Sequence, residues 1–230
     1  MSALAGPVFG VTLTTVTWWM ALALHRRTGW VVFNPVLVAV ALIIGVLHIA
    51  GISFDGYMQG GRLISFWLGP AVVALALPLS EQMDRLRGQL GALALSALAG
   101  AVVGIVSAVL VAKSLDASTL VTASLAPKSA TTPIAMGVSE ALGGAPALTA
   151  GLVVLTGILG AVLGPTWLTI LRVVDPAARG LALGAGAHGV GTARALEEGP
   201  LQGAVSGLSM GLTGLLTALL TPPLMALLSP

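Results

Sequence analysis

The sequence predicts an all-α polytopic membrane protein. Of its 230 residues, 57% are hydrophobic and only 8% are charged. Long runs without Asp, Glu, Lys or Arg recur along the chain, and each has the ~18 to 20 residues that an α-helix needs to cross a bilayer. These runs cover residues 1–25, 28–54, 63–80, 88–112, 141–171 and 199–230. No segment shows the ~10-residue alternation of polarity that is typical of membrane β-barrels.

The first two helices are expected over residues 8–24 and 31–50. Trp18 and Trp19 suit a membrane interface, and the absence of a basic start favours a retained helix over a cleaved signal peptide. The next stretch, residues 51–62, has the Gly and Asp content of a turn.

The third and fourth helices are expected over residues 63–79 and 89–112. Gly69-Pro70 interrupts the third helix, while the fourth carries Gly and Ala at intervals that suit close helix packing in membranes. We therefore expect residues 1–118 to form a scaffold that also carries the contacts of a homodimer or larger homo-oligomer.

Charge and motif content exclude most other classes. The net charge of +2 reflects arginines in short loops, which indicates membrane orientation rather than nucleic-acid binding. The absence of cysteine excludes disulfides and thiolate metal sites. The sequence has no HExxH, Walker A or GxSxG motif, and no paired carboxylates in its apolar runs. We expect no enzymatic activity, no cofactor and no bound metal.

Residues 126–140, APKSATTPIAMGVSE, interrupt the apolar pattern. Backbone broken by proline at membrane depth is tolerated only where it is buried in protein or lines a wet cavity, so this stretch indicates a site. A second short, polar and glycine-rich segment covers residues 180–199, and it is also followed by a clean apolar helix.

The two broken segments belong to an expected internal repeat. Residues 156–165 and 213–222 are identical at six of ten positions, and the same register aligns Glu140 with Glu197. We therefore expect a second part, residues 119–230, that serves transport. Its two repeats cover residues 119–171 and 180–222.

The distribution of arginine favours broken segments that enter the membrane and return over segments that cross it. In the re-entrant arrangement most of the basic residues share the cytoplasmic side, as the positive-inside rule requires, and the N-terminus lies outside. These residues are Arg26, Arg27, Arg85, Arg87, Arg172, Arg179 and Arg194, with Arg62 and Lys113 left outside. The result is an inverted repeat of hairpin plus helix, an architecture that secondary transporters use, with an elevator-like movement expected.

The first broken segment supplies donors for a small anion. Lys128 offers positive charge, and Ser129, Thr131 and Thr132 offer hydroxyl groups. Pro133 suits the first turn of a half-helix whose N–H groups and dipole point at the anion.

The second broken segment offers a similar set of groups. His188 lies among glycines, including Gly189 and Gly191, and is followed by Thr192 and Arg194. An imidazole would also allow proton coupling, so H⁺ is favoured over Na⁺ as a coupling ion.

Simpler interpretations stay open for these residues. Lys128 would snorkel or pair with a carboxylate, the hydroxyls would cap helix ends, and His188 would be a packing residue. Arg194 would form an i,i+4 pair with Glu198. The residues considered for coupling or gating, which would otherwise be interfacial charges, are Glu140, Glu197 and Arg62.

Three segments resemble the signature segments of the LrgB/CidB family. They are YMQGGRLISFWLGP at 57–70, PKSATTPIAMGVSEALG at 127–143 and DPAARGLALGAGAHGVGTARALE at 175–197. The family includes the YohK-type bacterial proteins and the membrane domain of the plastid glycolate/glycerate translocator.

The resemblance implies transport of small monocarboxylates of the glycolate, glycerate, lactate or pyruvate type across the bacterial inner membrane. It equally carries an older description of the family as holin/antiholin-like modulators of murein hydrolase activity and autolysis. A small membrane partner of the LrgA/CidA type is implied by resemblance alone.

Overall fold

The computed structural model describes residues 6–30, 33–74 and 76–228. Over these residues the chain is helical, with no strand. It divides into two compact units, residues 1–74 and 75–230. The functional boundary expected between residues 118 and 119 stays a prediction, and the expected start of the second helix at residue 31 lies outside the described residues.

Four helical segments are long and apolar enough to cross a membrane. They are Pro7–Thr28, Arg87–Ser114, Pro146–Ile170 and Pro200–Leu228, and a shorter apolar helix covers Pro35–Ala50. The predicted all-helical, multi-pass membrane protein is thus confirmed.

The first unit contains four helices: α1 Pro7–Thr28, α2 Pro35–Ala50, α3 Phe54–Phe66 and α4 Leu68–Ala74. The Asn34 side chain caps α2 by accepting hydrogen bonds from the N–H groups of Val36 and Leu37, at 2.9 and 3.4 Å. Asparagine is a favoured N-cap, and Pro35 fits the first turn because its missing N–H is not needed there.

The turn predicted for residues 51–62 is wrong from Phe54 onward, because α3 begins there. Ser53 caps this helix by accepting a hydrogen bond from Gly56 N at 3.2 Å. Gly60 faces α1 closely: a methyl group on it would lie 2.8 Å from Gly10 Cα. The glycine that resembled a turn residue is therefore the point where two helix backbones touch.

The single third span predicted over residues 63–79 is also wrong. The last part of the first unit forms two separate helices, because α3 stops at Phe66 and α4 starts at Leu68. Gly69-Pro70 lies in the first turn of α4, where proline is tolerated because the helix needs no N–H at that position.

The second unit contains α5 Ala76–Leu86, a 3₁₀ turn Arg87–Gln89, α6 Leu90–Ser114, α7 Thr119–Leu125, α8 Thr132–Ala141, α9 Pro146–Ile170, α10 Pro176–Glu198 and α11 Pro200–Leu228. One core cluster joins Leu86 and Leu93 to Ala177 and Val205. A second cluster joins α6 to the turn after α7 through Ile105, Val109 and Ala126.

Residues 119–141 form the first hairpin. Hydrogen-bonded turns continue α7 as far as Ala130, whose N–H donates to Pro127 O at 3.0 Å. The chain reverses at Ala130 and Thr131, and α8 begins at Thr132 with Pro133 in its first turn. We call residues 128–132 the first tip.

Residues 176–198 form the second hairpin, because α10 is broken at His188, where φ is 42° and ψ is −128°. In a continuous helix Arg179 and Glu198 would lie roughly 28 Å apart, at 1.5 Å per residue. Instead Arg179 Nε is 2.8 Å from a carboxylate oxygen of Glu198. The two arms of the hairpin, residues 176–187 and 189–198, are therefore antiparallel and lie side by side. We call residues 187–190 the second tip.

Candidate functional site

Among the described residues, the hydroxyl groups of the first tip have no hydrogen-bond partner. In the part of the chain that the structure describes, Ser129, Thr131 and Thr132 form no side-chain hydrogen bond. Thr131 occupies the N-cap position of α8 without a side-chain capping bond, so capping does not use its hydroxyl. The partly buried Thr131 and Thr132 are therefore available to a ligand, whereas Ser129 is buried with its hydroxyl against Gly104 of α6.

Lys128 lies partly buried beside these hydroxyls. Among residues 6–30, 33–74 and 76–228 it has neither an ion pair nor a hydrogen bond from its ammonium group. A partly buried ammonium in a membrane protein needs a counter-charge, and the first tip supplies no carboxylate. An anionic ligand would meet this need.

His188 fixes the second tip to α9. Its side chain is 6% exposed, and its Nε2 atom lies 3.0 Å from the carbonyl oxygen of Val153. Its backbone has a positive φ, which strains any residue other than glycine. Strain of this kind persists only where the surrounding structure enforces it, and it is common at functional sites.

Thr192 takes a packing role in the second hairpin. Its hydroxyl donates to His188 O at 2.9 Å and lies 3.0 Å from the hydroxyl oxygen of Ser206 on α11. Gly191 faces the other arm so closely that a methyl group there would overlap Leu183 O and Ala187 Cβ. Gly189 is exposed at the tip.

Both tips converge on α9. Val153 is fully buried and belongs to one core cluster with Ala130 and Ala135 of the first hairpin. The carbonyl of the same residue binds His188 of the second hairpin. A single residue of α9 therefore supports the reversal point of one hairpin and the strained residue of the other.

Both hairpins also approach α6, the first at its tip and the second at Ala185 in its first arm. A methyl group on Gly104 would lie 3.0 Å from Ser129 Oγ, and one on Gly100 would lie 3.4 Å from Ala185 Cβ. Gly100 and Gly104 are one helical turn apart, so the two hairpins approach α6 within about 6 Å of each other along its axis. The sequence singled out these glycines for close packing, but not the hairpins as their partners.

Three predicted residues of the second unit, Arg194, Glu197 and Glu140, lie away from the tips. Arg194 pairs with Glu197 at 2.9 Å and with Glu198 at 3.9 Å, as in the simpler interpretation. Glu140 is exposed near the end of α8. Arg62 is exposed on α3 in the first unit. Roles for these four residues in binding, coupling or gating stay predictions.

The outer end of the second hairpin is closed by Arg179, which the sequence analysis did not single out as a site residue. Its guanidinium binds both carboxylate oxygens of Glu198, at 2.8 and 3.0 Å, and donates to Val173 O at 3.1 Å. Both side chains are mostly buried, at 16% and 13% exposure. The hydrogen bond from Arg179 holds the pKa of the Glu198 carboxyl below its ordinary value, and burial only partly opposes this. The ion pair of Arg179 and Glu198 holds the first arm of the second hairpin against its second arm.

The outer end of the first hairpin is closed by hydroxyl groups instead. Thr149 of α9 donates to Ser139 Oγ of α8 at 2.7 Å, and Ala145 N donates to Ser124 Oγ of α7 at 2.8 Å. These contacts fix α7, α8 and α9 together. Isolated Ser and Thr in an apolar sequence gave no signal for this network.

Two cavities border the second hairpin. One is an apolar groove against α9, lined by Gly160, Gly164 and Trp167 among others, and the other lies at the outer end beside Arg179 and Arg194. Lys128 and His188 line neither of them. Within the described ranges no cluster of three or more His, Asp or Glu residues could hold a metal ion. The candidate site therefore rests on contacts between the tips and their supporting helices.

Comparison with known proteins agrees with the family resemblance of the three sequence segments. The protein YwbG of Bacillus subtilis (strain 168) is 38% identical over 203 residues, which are 88% of this chain and 90% of that protein. Proteins of Bacillus mycoides (strain KBAB4) and Bacillus cereus (strain B4264), both named antiholin-like protein LrgB, are each 33% identical over 211 residues. Those residues are 91% of this chain and 92% of each relative. No solved structure gives a significant match. The model of the LrgB-like family matches residues 14–227, and the chain therefore belongs to that family.

Proposed function

We propose that the protein is a secondary carrier of small monocarboxylates of the glycolate, glycerate, lactate or pyruvate type. The observation that carries the proposal is the convergence of two broken hairpins on Val153 and on the Gly100–Gly104 turn of α6. At this point a partly buried Lys128 and three hydroxyls have no partner among the described residues. A carboxylate needs such donors to replace its water.

The geometry of the two hairpins supports an inverted repeat. The register that aligns Glu140 with Glu197 also aligns Thr131 with His188, and the chain reverses at both positions. A symmetric site of this kind is expected where two repeats meet.

The contacts between each hairpin and the long helix that follows it agree with the same register. It aligns Ala135 with Thr192 and Val153 with Met210. Ala135 packs with Val153 in one cluster, and Thr192 Oγ1 lies 3.9 Å from Met210 Sδ. Equivalent residues of the two repeats therefore make equivalent contacts, which favours duplication over chance similarity.

A third correspondence crosses the repeats. A methyl group on Gly157 of α9 would lie 2.5 Å from His188 Cε1 of the second hairpin, and one on Gly214 of α11 would lie 3.0 Å from Ile134 Cδ1 of the first. The register aligns these two glycines with each other. Each long helix thus touches the hairpin of the other repeat, as the two-fold relation of an inverted repeat requires.

The binding mode in this proposal uses two half-helix N-termini. α8 starts at Thr132, and the second arm of α10 starts at Gly189, so the free N–H groups of both would face the carboxylate beside Lys128. We favour H⁺ over Na⁺ for coupling, because His188 lies at the second tip. The protein would act without enzymatic activity or a cofactor, in the bacterial inner membrane with its N-terminus outside, as a homodimer or larger homo-oligomer.

Alternating access is the expected transport cycle, with residues 119–230 moving against residues 1–118 in an elevator-like manner. Since α6 packs against both hairpins, it would have to move with them or slide along them. This requirement makes α6 the helix where a test of the movement is most informative.

The second candidate is an antiholin-like role, in which the protein modulates murein hydrolase activity and autolysis. The names of the relatives from Bacillus mycoides and Bacillus cereus favour this role, and neither name mentions transport. The names therefore support the antiholin-like role better than the carrier role, whereas the hairpin geometry is the argument for a carrier. A small partner of the LrgA/CidA type would fit this role.

Reconstitution into proteoliposomes separates the two candidates. A carrier should give saturable uptake of labelled glycolate and counterflow when unlabelled glycolate is trapped inside. It should lose at least tenfold in uptake when Lys128 is replaced by Ala, while Gly151→Ala, at an exposed position on α9 with open space around it, keeps wild-type uptake. Non-saturable leakage of dye or ions, with no counterflow, would refute the carrier and leave the antiholin-like role.

A further inference from the structure

The hydrogen bond of His188 determines which of its ring nitrogens carries a proton. A carbonyl oxygen can only accept, so Nε2, which lies 3.0 Å from Val153 O, must donate an N–H. In the neutral imidazole the other nitrogen, Nδ1, then has a lone pair and can only accept. Nδ1 has no hydrogen-bond partner in the part of the chain that the structure describes.

The surroundings of the ring keep this arrangement in place. The Cε1 and Nε2 atoms face Gly157 on α9, where even a methyl group would come within 2.8 Å of Nε2. The ring is therefore clamped between the second tip and α9, and it cannot turn Nδ1 toward Val153 without losing its hydrogen bond. The clamp leaves Nδ1 as the polar edge of His188 that a ligand can use.

Few charged groups are in a position to alter the imidazole. α9 and α11 carry no Asp, Glu, Lys or Arg, and α6 carries only Lys113 in its last turn, where it binds Leu228 O. The charged residues of the second hairpin, Arg179, Arg194, Glu197 and Glu198, pair with one another at its outer end. The first hairpin, which packs against the same α9, carries Lys128 at its tip and Glu140, exposed near the end of α8.

We infer that His188 gives the site a preference for 2-hydroxy over 2-oxo monocarboxylates. This inference rests on the proposed carrier function and names its substrate class. The carboxylate would bind at the first tip, and the substituent on the adjacent carbon would face Nδ1. A hydroxyl donates a hydrogen bond to Nδ1, whereas a keto oxygen has only lone pairs and meets the lone pair of Nδ1 unfavourably.

The test compares substrates that differ only at this position. Lactate and pyruvate form one pair, 2-hydroxybutyrate and 2-oxobutyrate a second, and propionate and butyrate lack the substituent. Each is used to inhibit uptake of labelled glycolate at pH 8, above the range in which an unperturbed imidazole is charged. The inference predicts half-inhibition by lactate at a concentration about five- to tenfold below that of pyruvate, as expected for one added hydrogen bond.

Two variants separate the edges of the imidazole. In His188→Gln the amide nitrogen lies where Nε2 lay, so the bond to Val153 O is kept and the acceptor at the Nδ1 position is lost. In His188→Asn the amide lies at the Nδ1 edge, so the acceptor is kept and the bond to Val153 O is lost. The lactate-to-pyruvate ratio should fall to about one in His188→Gln, whereas His188→Asn, whose amide can also turn its N–H₂ toward a keto oxygen, should keep part of the wild-type preference.

The outcomes distinguish this inference from the carrier proposal. Saturable uptake with equal inhibition by lactate and pyruvate in the wild-type protein would overturn the inference and leave the carrier intact. A preference for lactate over pyruvate that His188→Gln leaves unchanged would also overturn the inference and leave the carrier intact. Absence of saturable uptake for all of these acids would overturn the carrier and, with it, the assigned preference.

Discussion

The Nε2 atom of His188 lies 3.0 Å from the carbonyl oxygen of Val153, and the side chain of Val153 packs with Ala130 at the reversal of the other hairpin. The helix α9 is therefore the common support of both tips. Any change that displaces the tips from α9 should weaken anion binding at the site, even where it touches no ligand.

Gly157→Ala tests this support. The added methyl group would lie 2.5 Å from His188 Cε1, which is closer than real carbon contacts allow, so the imidazole must move. We expect a loss of about 1 to 3 kcal/mol in stability from overpacking and at least a tenfold loss of uptake. The measurements are thermal unfolding in detergent and uptake of labelled glycolate.

Gly151→Ala is the matched control on the same helix, since its methyl group meets nothing within 4 Å. It should unfold at or slightly above the wild-type temperature, because alanine favours helix more than glycine does. If both variants behave alike, the clamp on His188 has no part in binding.

Replacing His188 by Gly and by Ala separates the imidazole from the backbone strain. Both variants lose the bond to Val153 O, but only glycine adopts φ of 42° without steric cost. We expect His188→Gly to be more stable than His188→Ala by about 1 to 2 kcal/mol. Each kcal/mol corresponds to roughly 2 to 4 °C in melting temperature for a chain of this length. Equal melting temperatures would show that the backbone at the second tip is unstrained.

The ion pair of Arg179 and Glu198 should make stability depend on pH. Arg179 lowers the pKa of Glu198 in the folded protein. The stabilisation is therefore fully present above the unfolded pKa of about 4.3, and it is lost as the pH falls through the lower folded pKa. Wild type should exceed Glu198→Gln by about 2 kcal/mol at pH 7, and the difference should shrink below about pH 4.

Two further variants test the specificity of this effect. Arg179→Lys should destabilise nearly as much as Glu198→Gln, because an ammonium cannot match the bidentate contact and reach Val173 O together. Glu140→Gln, an exposed carboxylate in the first hairpin, should leave the melting temperature unchanged across this pH range. If Glu198→Gln and wild type showed the same pH dependence of stability, a group other than Glu198 would be its cause.

The first unit offers a test of helix packing that is separate from the site. In Gly60→Ala the methyl group would lie 2.7 Å from Val11 N and 2.8 Å from Gly10 Cα. Both are backbone atoms, which cannot move away as the end of a flexible side chain could. α1 and α3 must then separate, which should cost at least about 2 kcal/mol. Gly45→Ala on α2, with open space around it, should instead be neutral or stabilising by up to about 1 kcal/mol. Similar melting temperatures for the two would contradict the close crossing.

The sequence predicted the hairpins because their residue types are out of place in an apolar helix. Pro133 and the run of hydroxyls before it mark the start of α8, and His188 among glycines marks the break in α10. Asp175 before Pro176 marks the start of the second hairpin, where its carboxylate accepts a hydrogen bond from Ala178 N at 2.8 Å. Each of these signals is local, so it can be read from a few neighbouring residues.

The supporting contacts could not be predicted in the same way. Val153 and Gly157 belong to a helix that has no charged residue and carries glycines on more than one face, so its sequence does not indicate which face meets the tips. The pairing of Glu198 with Arg179 joins residues 19 positions apart, whereas the i,i+4 rule pointed to Arg194. The turn that the sequence predicts at Gly60 is wrong, since a glycine in a turn and one at a helix crossing look alike in sequence.

The most direct test of the central claim is protection of the first tip by substrate. The chain contains no cysteine, so Thr131→Cys introduces a single thiol at the reversal of the first hairpin, and Ala141→Cys places one at the exposed outer end of the same hairpin. Glycolate should slow modification of Thr131→Cys by a small thiol reagent, with half-protection near the concentration that half-saturates uptake, and should leave Ala141→Cys unaffected. Unchanged modification of Thr131→Cys under saturating glycolate, in protein that still takes up glycolate, would contradict a binding site between the two tips.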